Sequence, residues 1–346
     1  ILAICLLLSY LSIFISPAKF WLISYFGLFF QLFLVLNLLM LIIWFLAQKK
    51  IVWLHLIILL PSTLFISSFI QLFNGKPENN ENDIKVISYN VQMFQLRYKE
   101  ADSSYLKIAA FLNTENPDII CLQEFYSAPD KLTTDKFRAL LKDIGYNYVH
   151  FSLDKPKYQY GVATFSRYPI IDKGEVFSSP TGNASVYTDI DINGKVMRVY
   201  NNHLQSIRLN LPKSLRRIIN SNDERMGEIA DVTLRLKTAF VKRAQQVDVI
   251  SAHVKQSPYP VIVCGDFNDT PMSYSYHTMK QGLKDAFCEA GRGMPSTHQG
   301  FFPSFRIDYI LHDKRINTTA YSVTDINFSD HYPIAASLDT SQIHIK

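Results

Sequence analysis

Several apolar runs in this chain stop at residues that could do chemistry. "VIVCGDFNDT" (261–270) runs through four apolar residues into Gly265, then presents Asp266 and Asn268 two apart. "IKVISYN" ends in Asn90, "PDIICLQE" in Glu124 and "VYNNH" in His203; "FRIDYI" carries Asp308, and "NFSDHYP" presents Asp330 and His331 before a last apolar run. Strand ends along one edge of a core lie together, so these groups can share one cleft. Gly265 lets the chain turn as it leaves the sheet, holding Asp266 and Asn268 on a rigid strand end. The set offers carboxylates, amides and two imidazoles, with no candidate Cys or Ser nucleophile. Hard oxygen donors suit Mg²⁺, with Mn²⁺ or Ca²⁺ as alternatives, rather than zinc. Histidines beside such a site can give protons to a phosphate or its leaving group. Together they point to metal-assisted hydrolysis of a phosphate ester.

The elements that must carry these groups alternate between strand and helix. Residues 84–90 and 117–124 read as strands, and 104–115 has helical spacing through Leu106, Ala109, Ala110 and Leu112. A helix is expected over about 132–144, followed by five strands, with "DING" (191–194) as a hairpin turn. Residues 224–256 read as one long helix. A strand follows at 260–265, then a short helix near 273–281 and strands at 305–312, 318–325 and 333–339. Uninterrupted apolar strands such as "DIICL" and "VIVC" are expected to be buried on both faces. Many strands and few helices suggest two packed sheets with helices outside them.

The first 73 residues differ in kind. The stretches 1–16, 20–47 and 51–73 are apolar and free of charge, and the second exceeds the roughly 20 residues a membrane-crossing helix needs. Trp21, Trp44 and Trp53 fall near the ends of these runs, as interfacial aromatics do. The reading is therefore about three transmembrane helices in the lipid bilayer. Lys49 and Lys50 against Lys19 alone place the second loop in the cytoplasm and the remainder on the extracytoplasmic side, with a bacterial inner membrane as the expected location. "NGKPENNEND" (74–83) reads as a linker, leaving 84–346 as the catalytic domain. The chain opens on Ile1, so its true start is expected upstream.

Charge and cysteine content exclude some functions. The net charge is +5; four lysines and two glutamates precede residue 83, which leaves +3 for the rest and no strong electrostatic claim on nucleic acid. "KSLRR" (213–217), with Arg208, reads as a solvated face. Four cysteines without CxxC spacing make neither a disulfide framework nor a zinc site.

"SYNVQ", "CLQE", "SRYPI", "NNHL", "CGDFNDTP", "RIDYIL" and "SDHYP" occur in an order that resembles the endonuclease/exonuclease/phosphatase superfamily. It includes DNase I-like nucleases, abasic-site endonucleases, neutral sphingomyelinases and inositol-polyphosphate phosphatases. The resemblance spans about residues 84–340. It implies a four-layered α/β sandwich, two mixed sheets flanked by helices, with the site at one edge. It also implies roles: Glu124 as main Mg²⁺ ligand, Asn90 beside the metal, and Asp330 as a further metal contact. Asp266 would orient or activate water, Asn268 hold the phosphate, His331 stabilise its developing charge and Asp308 fix His331. His203 stands where DNase-like and sphingomyelinase-like members have a histidine, a candidate acid for the leaving oxygen. Abasic-site endonucleases have Asn-x-Asp where this chain has Asn90–Val91–Gln92, which points away from DNA repair. The carboxylate that would pair with His203 stays open between Glu175 and Asp189. Arg167 in "SRYPI" is divided between a structural and a phosphate-facing role, and His298 and Tyr160 are weaker candidates.

The expected function is a membrane-anchored, metal-dependent phosphodiesterase acting on a nucleic acid, a nucleotide or a lipid head group. A phosphomonoesterase of inositol-phosphate type and a noncatalytic binding module on the same fold are the alternatives. A transporter is disfavoured, because the apolar runs carry no charge for an ion path.

Overall fold

In a computed structural model of the chain, the described residues are 1–72, 83–95, 104–127, 133–153, 159–179, 182–207, 222–299 and 306–343. They fall into two compact units. The first comprises Ile1–Ile66, Gln205–Asp248 and Asn268–Thr278; the second comprises Ser67–Leu204, Val249–Phe267 and Met279–Lys346. The linker at 74–83, save Asp83, and the basic residues Arg208, Lys213, Arg216 and Arg217 lie outside the described residues.

Two six-stranded sheets form the second unit. β1 (Ile84–Asn90), β2 (Ile119–Ser127), β3 (Tyr148–Leu153), β4 (Gln159–Ser166), β11 (Asn317–Val323) and β12 (Ile334–Asp339) make one, in the order β11-β12-β1-β2-β4-β3. β5 (Ile170–Ser178), β6 (Ala184–Ile192), β7 (Lys195–His203), β8 (Val261–Asp266), β9 (Leu283–Asp285) and β10 (Asp308–Asp313) make the other, in the order β5-β6-β7-β8-β10-β9. Each sheet is mixed, with one parallel pair: β1 with β2, and β7 with β8. The parallel pairs are stacked on each other. That stacking is why "IICL" and "VIVC" are apolar at every position rather than at alternate ones. One face of each enters a shared core of Val86, Ile119, Cys121, Val199, Ile262 and Cys264. On the outer face of the first sheet, α6 (Ser104–Glu115) and α7 (Thr134–Asp143) pack Ile108, Leu112, Phe137 and Leu141 against Tyr89, Leu122 and Phe165. The two packed mixed sheets flanked by helices agree with the expected α/β sandwich. The hairpin at 191–194 also forms: Asn193 and Gly194 take positive φ, and the Gly194 amide donates to Asp191 Oδ1 at 2.7 Å.

The expectation of membrane spans is corrected by the first unit. Among the described residues no helix is long and apolar enough to cross a membrane, which overturns the three transmembrane helices and the integral-membrane, extracytoplasmic location drawn from them. The apolar runs are broken into α1 (Leu2–Leu11), α2 (Ile23–Leu28), α3 (Phe30–Leu46), α4 (Val52–Leu59) and α5 (Thr63–Ile66). Local chemistry accounts for the breaks. Pro61 interrupts the third run in a short 3₁₀ turn. Phe29, with φ −96° and ψ 14°, separates α2 from α3, leaving α3 with 17 residues, about 25 Å of helix against about 30 Å of hydrocarbon. The few polar side chains tie the short helices together. Tyr10 Oη donates to the Ile58 carbonyl at 3.0 Å, Ser9 Oγ to that of Phe26 at 2.7 Å, and Asn37 Nδ2 to that of Leu2 at 3.1 Å. In the same unit α8 (Asn222–Lys255), whose last turns belong to the second unit, carries Arg243, which is buried and donates to Asp269 at 3.0 Å and to the Gln205 carbonyl at 2.9 Å.

Candidate active site

The strand directions put the chemical groups at one edge. In a parallel pair both carboxyl ends face the same way, so β1 and β2 deliver Asn90 beside Gln123 and Glu124, and β7 and β8 deliver His203 opposite Asp266. β10 runs antiparallel to β8, so its first residue, Asp308, also pairs with Asp266. β12 runs antiparallel to β1, so the segment entering it, with Asp330 and His331, reaches the same edge.

Two local irregularities aim the side chains. Between Leu122 and Phe125 the register of β2 against β4 slips by one residue, and in that bulge Glu124 takes φ +51°. A non-glycine residue in that region costs of order 1–3 kcal/mol and persists where its surroundings enforce it. The bulge turns Glu124 out of the sheet and into the cleft. Gly265 has φ +142°, and a Cβ there would sit 2.0 Å from the Asn202 carbonyl oxygen. Only glycine lets β8 come this close to β7.

The groups meet through short contacts. Asn90 Nδ2 donates to Asp266 Oδ2 at 3.0 Å and to Glu124 Oε1 at 3.4 Å, while its Oδ1 accepts the Gln92 amide at 3.0 Å. His331 Nδ1 lies 3.0 Å from Asp308 Oδ2, and its Nε2 lies 3.7 Å from Asp266 Oδ2. Burial pulls the His331 imidazole down, but the Asp308 and Asp266 carboxylates outweigh it and push it up to about 10, so the ring is cationic at neutral pH. Burial raises Asp266 above the ordinary aspartate range, partly offset by the His331 charge, which makes it a stronger base. Burial likewise raises Asp330, against the pull of His331 and His298. Asp330 Oδ2 accepts Gln92 Nε2 at 2.7 Å.

His203 is almost wholly buried. Its Nε2 has no hydrogen-bond partner and points toward Glu124 Oε1 at 3.6 Å and Asp266 Oδ2 at 3.9 Å. The open choice of its partner resolves into neither carboxylate. Asp189 is held by Arg198 in a two-pronged ion pair at 2.6 and 2.7 Å, and Glu175 accepts from Ser152 Oγ at 3.2 Å. The Nδ1 of His203 instead faces the Gly182 carbonyl at 3.4 Å.

Arg167 is also corrected. It follows β4, whose last residue pairs with Ile119 at the start of β2, so it stands at the edge opposite Glu124. There its guanidinium donates to the Pro117 carbonyl at 3.1 Å and to Asn116 Oδ1 at 2.6 Å, and stacks on Tyr146. Asn268 stands two residues along the chain from Asp266, with φ +53°, as the first residue of its segment in the other compact unit.

Three groups play larger parts than their sequence context suggests. His298 pairs with His331 in an isolated bridge, its ring edge-on at 4.7 Å and its Nε2 4.0 Å from Asp330. Gln123 Nε2 donates to Asn201 Oδ1 at 2.8 Å, and Asn201 Nδ2 to the Leu122 and Ala163 carbonyls. This buried amide pair joins the two sheets directly behind Glu124 and His203. The adjacency of Gln123 to Glu124 and of Asn201 to His203 was the available signal, but it does not separate a strut from a reactive group.

The donor set fits a hard divalent cation. Two trios, Asp266–Asp308–His331 and His298–Asp330–His331, bring ligand atoms within 4.8 Å of one another. In the first, the hydrogen bond between Asp308 and the cationic His331 makes a charge pair the better account. Glu124 adds a carboxylate that shares the Asn90 amide with Asp266, and His203 Nε2 and Asp308 Oδ1 are buried polar atoms without a hydrogen-bond partner.

Comparison with known proteins agrees with this fold. The N-terminal residues 1–69 match a domain of unknown function. Phospholipase C of Staphylococcus aureus is 25% identical over 331 residues, covering 76% of this chain and 89% of the relative. A DNA-(apurinic or apyrimidinic site) endonuclease of Dictyostelium discoideum is 23% identical over 300 residues, covering 76% and 73%. The crystal structure of an endonuclease/exonuclease/phosphatase from Beutenbergia cavernae superposes with TM-score 0.54 at 20% identity, covering 74% of this chain and 71% of that one, a likeness of fold. The profile of the endonuclease/exonuclease/phosphatase family matches residues 87–331, from the first strand of the sandwich to the histidine paired with Asp308. This chain therefore belongs to the endonuclease/exonuclease/phosphatase family.

Proposed function

We propose that this protein is a Mg²⁺-dependent phosphodiesterase in which water is the nucleophile. The observation that carries the reading is the convergence of Glu124, Asp266, His331 and His203 on one cleft, with Asn90 bridging the first two. Glu124 and Asn90, with Asp330, would hold the cation. When bound, it neutralises charge on the phosphate oxygens and lowers the pKa of a coordinated water.

The protein's own groups divide the remaining work. Asp266, made more basic by burial, takes a proton from the attacking water. His331, kept cationic by Asp308, faces the charge that develops on the phosphate. His203, whose Nε2 faces Glu124 and Asp266, gives a proton from Nε2 to the departing alkoxide, while the Gly182 carbonyl holds Nδ1. The relatives named for a phospholipase and an endonuclease favour a diester over a monoester. A noncatalytic module is disfavoured, because nothing in binding alone requires the strained Glu124 and the buried, charged His331–Asp308 pair.

The test is hydrolysis of bis(p-nitrophenyl) phosphate by the full chain, with Mg²⁺ and with EDTA. Activity is expected to disappear with EDTA, and Glu124→Ala and His331→Ala are each expected to cost at least about a hundredfold in kcat. Turnover unaffected by both substitutions would overturn the assignment.

A further inference from the structure

A cleft of about 370 Å³ opens between β3–β4 of one sheet and β5–β6 of the other. Ser152, Tyr160, Glu175, Ser178, Gly182 and Asn183 are among its walls. It adjoins the reacting centre through one shared wall. The Gly182 carbonyl faces His203 Nδ1 at 3.4 Å, Asn183 Nδ2 donates to the Leu204 carbonyl at 2.8 Å, and Ala184 pairs with His203 across β6 and β7. Tyr160 lies directly over Gly182: a Cβ at that glycine, whose φ is +82°, would fall 1.9 Å from the ring. The cleft therefore shares with the reacting centre the wall that holds the candidate proton donor for the leaving group.

Its chemistry is one-sided. The walls offer hydroxyls, an amide and the Glu175 carboxylate, and no Lys, Arg or His is among the described residues that form them. Lys173, two residues from Glu175 on β5, gives its ammonium to the Val149 carbonyl at 3.3 Å. Glu175 itself is exposed and accepts a hydrogen bond from the Ser152 hydroxyl. Among the described residues no salt bridge ties Glu175 to a cation, and a carboxylate so placed favours a ligand bearing hydrogen-bond donors over an anion.

We propose that this cleft holds the alcohol portion of the phosphate ester, that Glu175 sets its charge preference, and that the preferred group carries hydroxyl or ammonium donors rather than negative charge. The proposal rests on the phosphate-ester reading above and adds to it a specificity residue outside the reacting set.

The experiment measures competitive inhibition of bis(p-nitrophenyl) phosphate hydrolysis by O-phosphoethanolamine, glycerol phosphate and phosphoglycolate, using the full chain. In the wild type the first two should bind about three- to tenfold more tightly than phosphoglycolate, the range expected of an exposed charge. Glu175→Gln should narrow that gap and Glu175→Lys should invert it, while kcat/KM for bis(p-nitrophenyl) phosphate stays within about twofold. A lead for phosphoethanolamine would mark an ammonium head group, and a lead for glycerol phosphate a polyol; either supports the subsite. Inhibition constants unchanged in both variants, or shifted equally for all three compounds, would overturn it. That result is separable from failure of the underlying reading, which would appear as turnover insensitive to Glu124→Ala.

Discussion

In the sandwich, Asp189, Asp266, Asp308 and His331 are at most 5% exposed, and each has a charged or amide neighbour at close range. In the helices of residues 1–66, by contrast, Phe45, Leu46, Trp53 and Ile57 are all more than 65% exposed. One region buries charge and the other displays grease. Hydropathy was a sound guide to burial only where the chain folds back on itself in sheets. In β1, β2 and β8 every apolar residue has a facing layer to cover it. In α3 and α4 the helices are apolar on all sides, and a short helix can bury only one face against its neighbours.

That contrast can be broken in four ways, taken from the largest effect down. Phe125 is fully buried and packs with Phe94, Phe137, Phe151 and Phe165. Phe125→Ala should cost about 3–5 kcal/mol in denaturant unfolding of the full chain. Gly265→Ala should cost about 2–3 kcal/mol by forcing β8 away from Asn202, and should lower kcat as well, because Asp266 moves with it. Retained stability and activity would show that β7 and β8 are more loosely joined than their close approach implies.

Asp308→Asn tests the buried charge. His331 is lifted to about 10, so turnover that needs the cationic ring should be flat through neutrality and fall as pH rises through about 10. The stability due to this ring has the same sign: fully present below the ordinary histidine pKa, and lost as pH rises through about 10. Without the Asp308 charge the alkaline limb of kcat/KM should move to lower pH, with about a tenfold loss at neutral pH; an unmoved limb would assign it to another group. The smallest effect belongs to the exposed helices. Phe45→Ser should change stability by less than about 0.5 kcal/mol, since an exposed side chain has little to lose. A loss above about 1.5 kcal/mol would mean that this surface is covered in solution.

Much of the candidate site was legible because its groups interrupt strong patterns. Asn90, Glu124 and Asp266 stand at the ends of apolar runs and His203 closes a polar strand end, and a polar residue at a buried strand end is uncommon enough to mark. Arg167 sits at an equally plain strand end, yet it lies at the opposite edge, since strand direction relative to the sheet is not written in one segment. His298 falls in a stretch with no periodicity, so nothing in its own surroundings raised it above other surface histidines. The apolar runs at 1–16, 20–47 and 51–73 were misread for a related reason: composition records how greasy a segment is, not where its helices break.

By itself the sequence determined most strands and helices of residues 84–346, that strands such as "VIVC" are buried on both faces, and which oxygen and imidazole groups stand at strand ends. These depend on local periodicity and side-chain chemistry. Only the tertiary structure decided that the bulge turns Glu124 inward, that His203 leans on the Gly182 carbonyl instead of a carboxylate, and that Glu175 opens onto the cleft beside it. Those outcomes depend on register and on contacts between residues far apart in the chain, where a shift of one position turns a side chain to the other face.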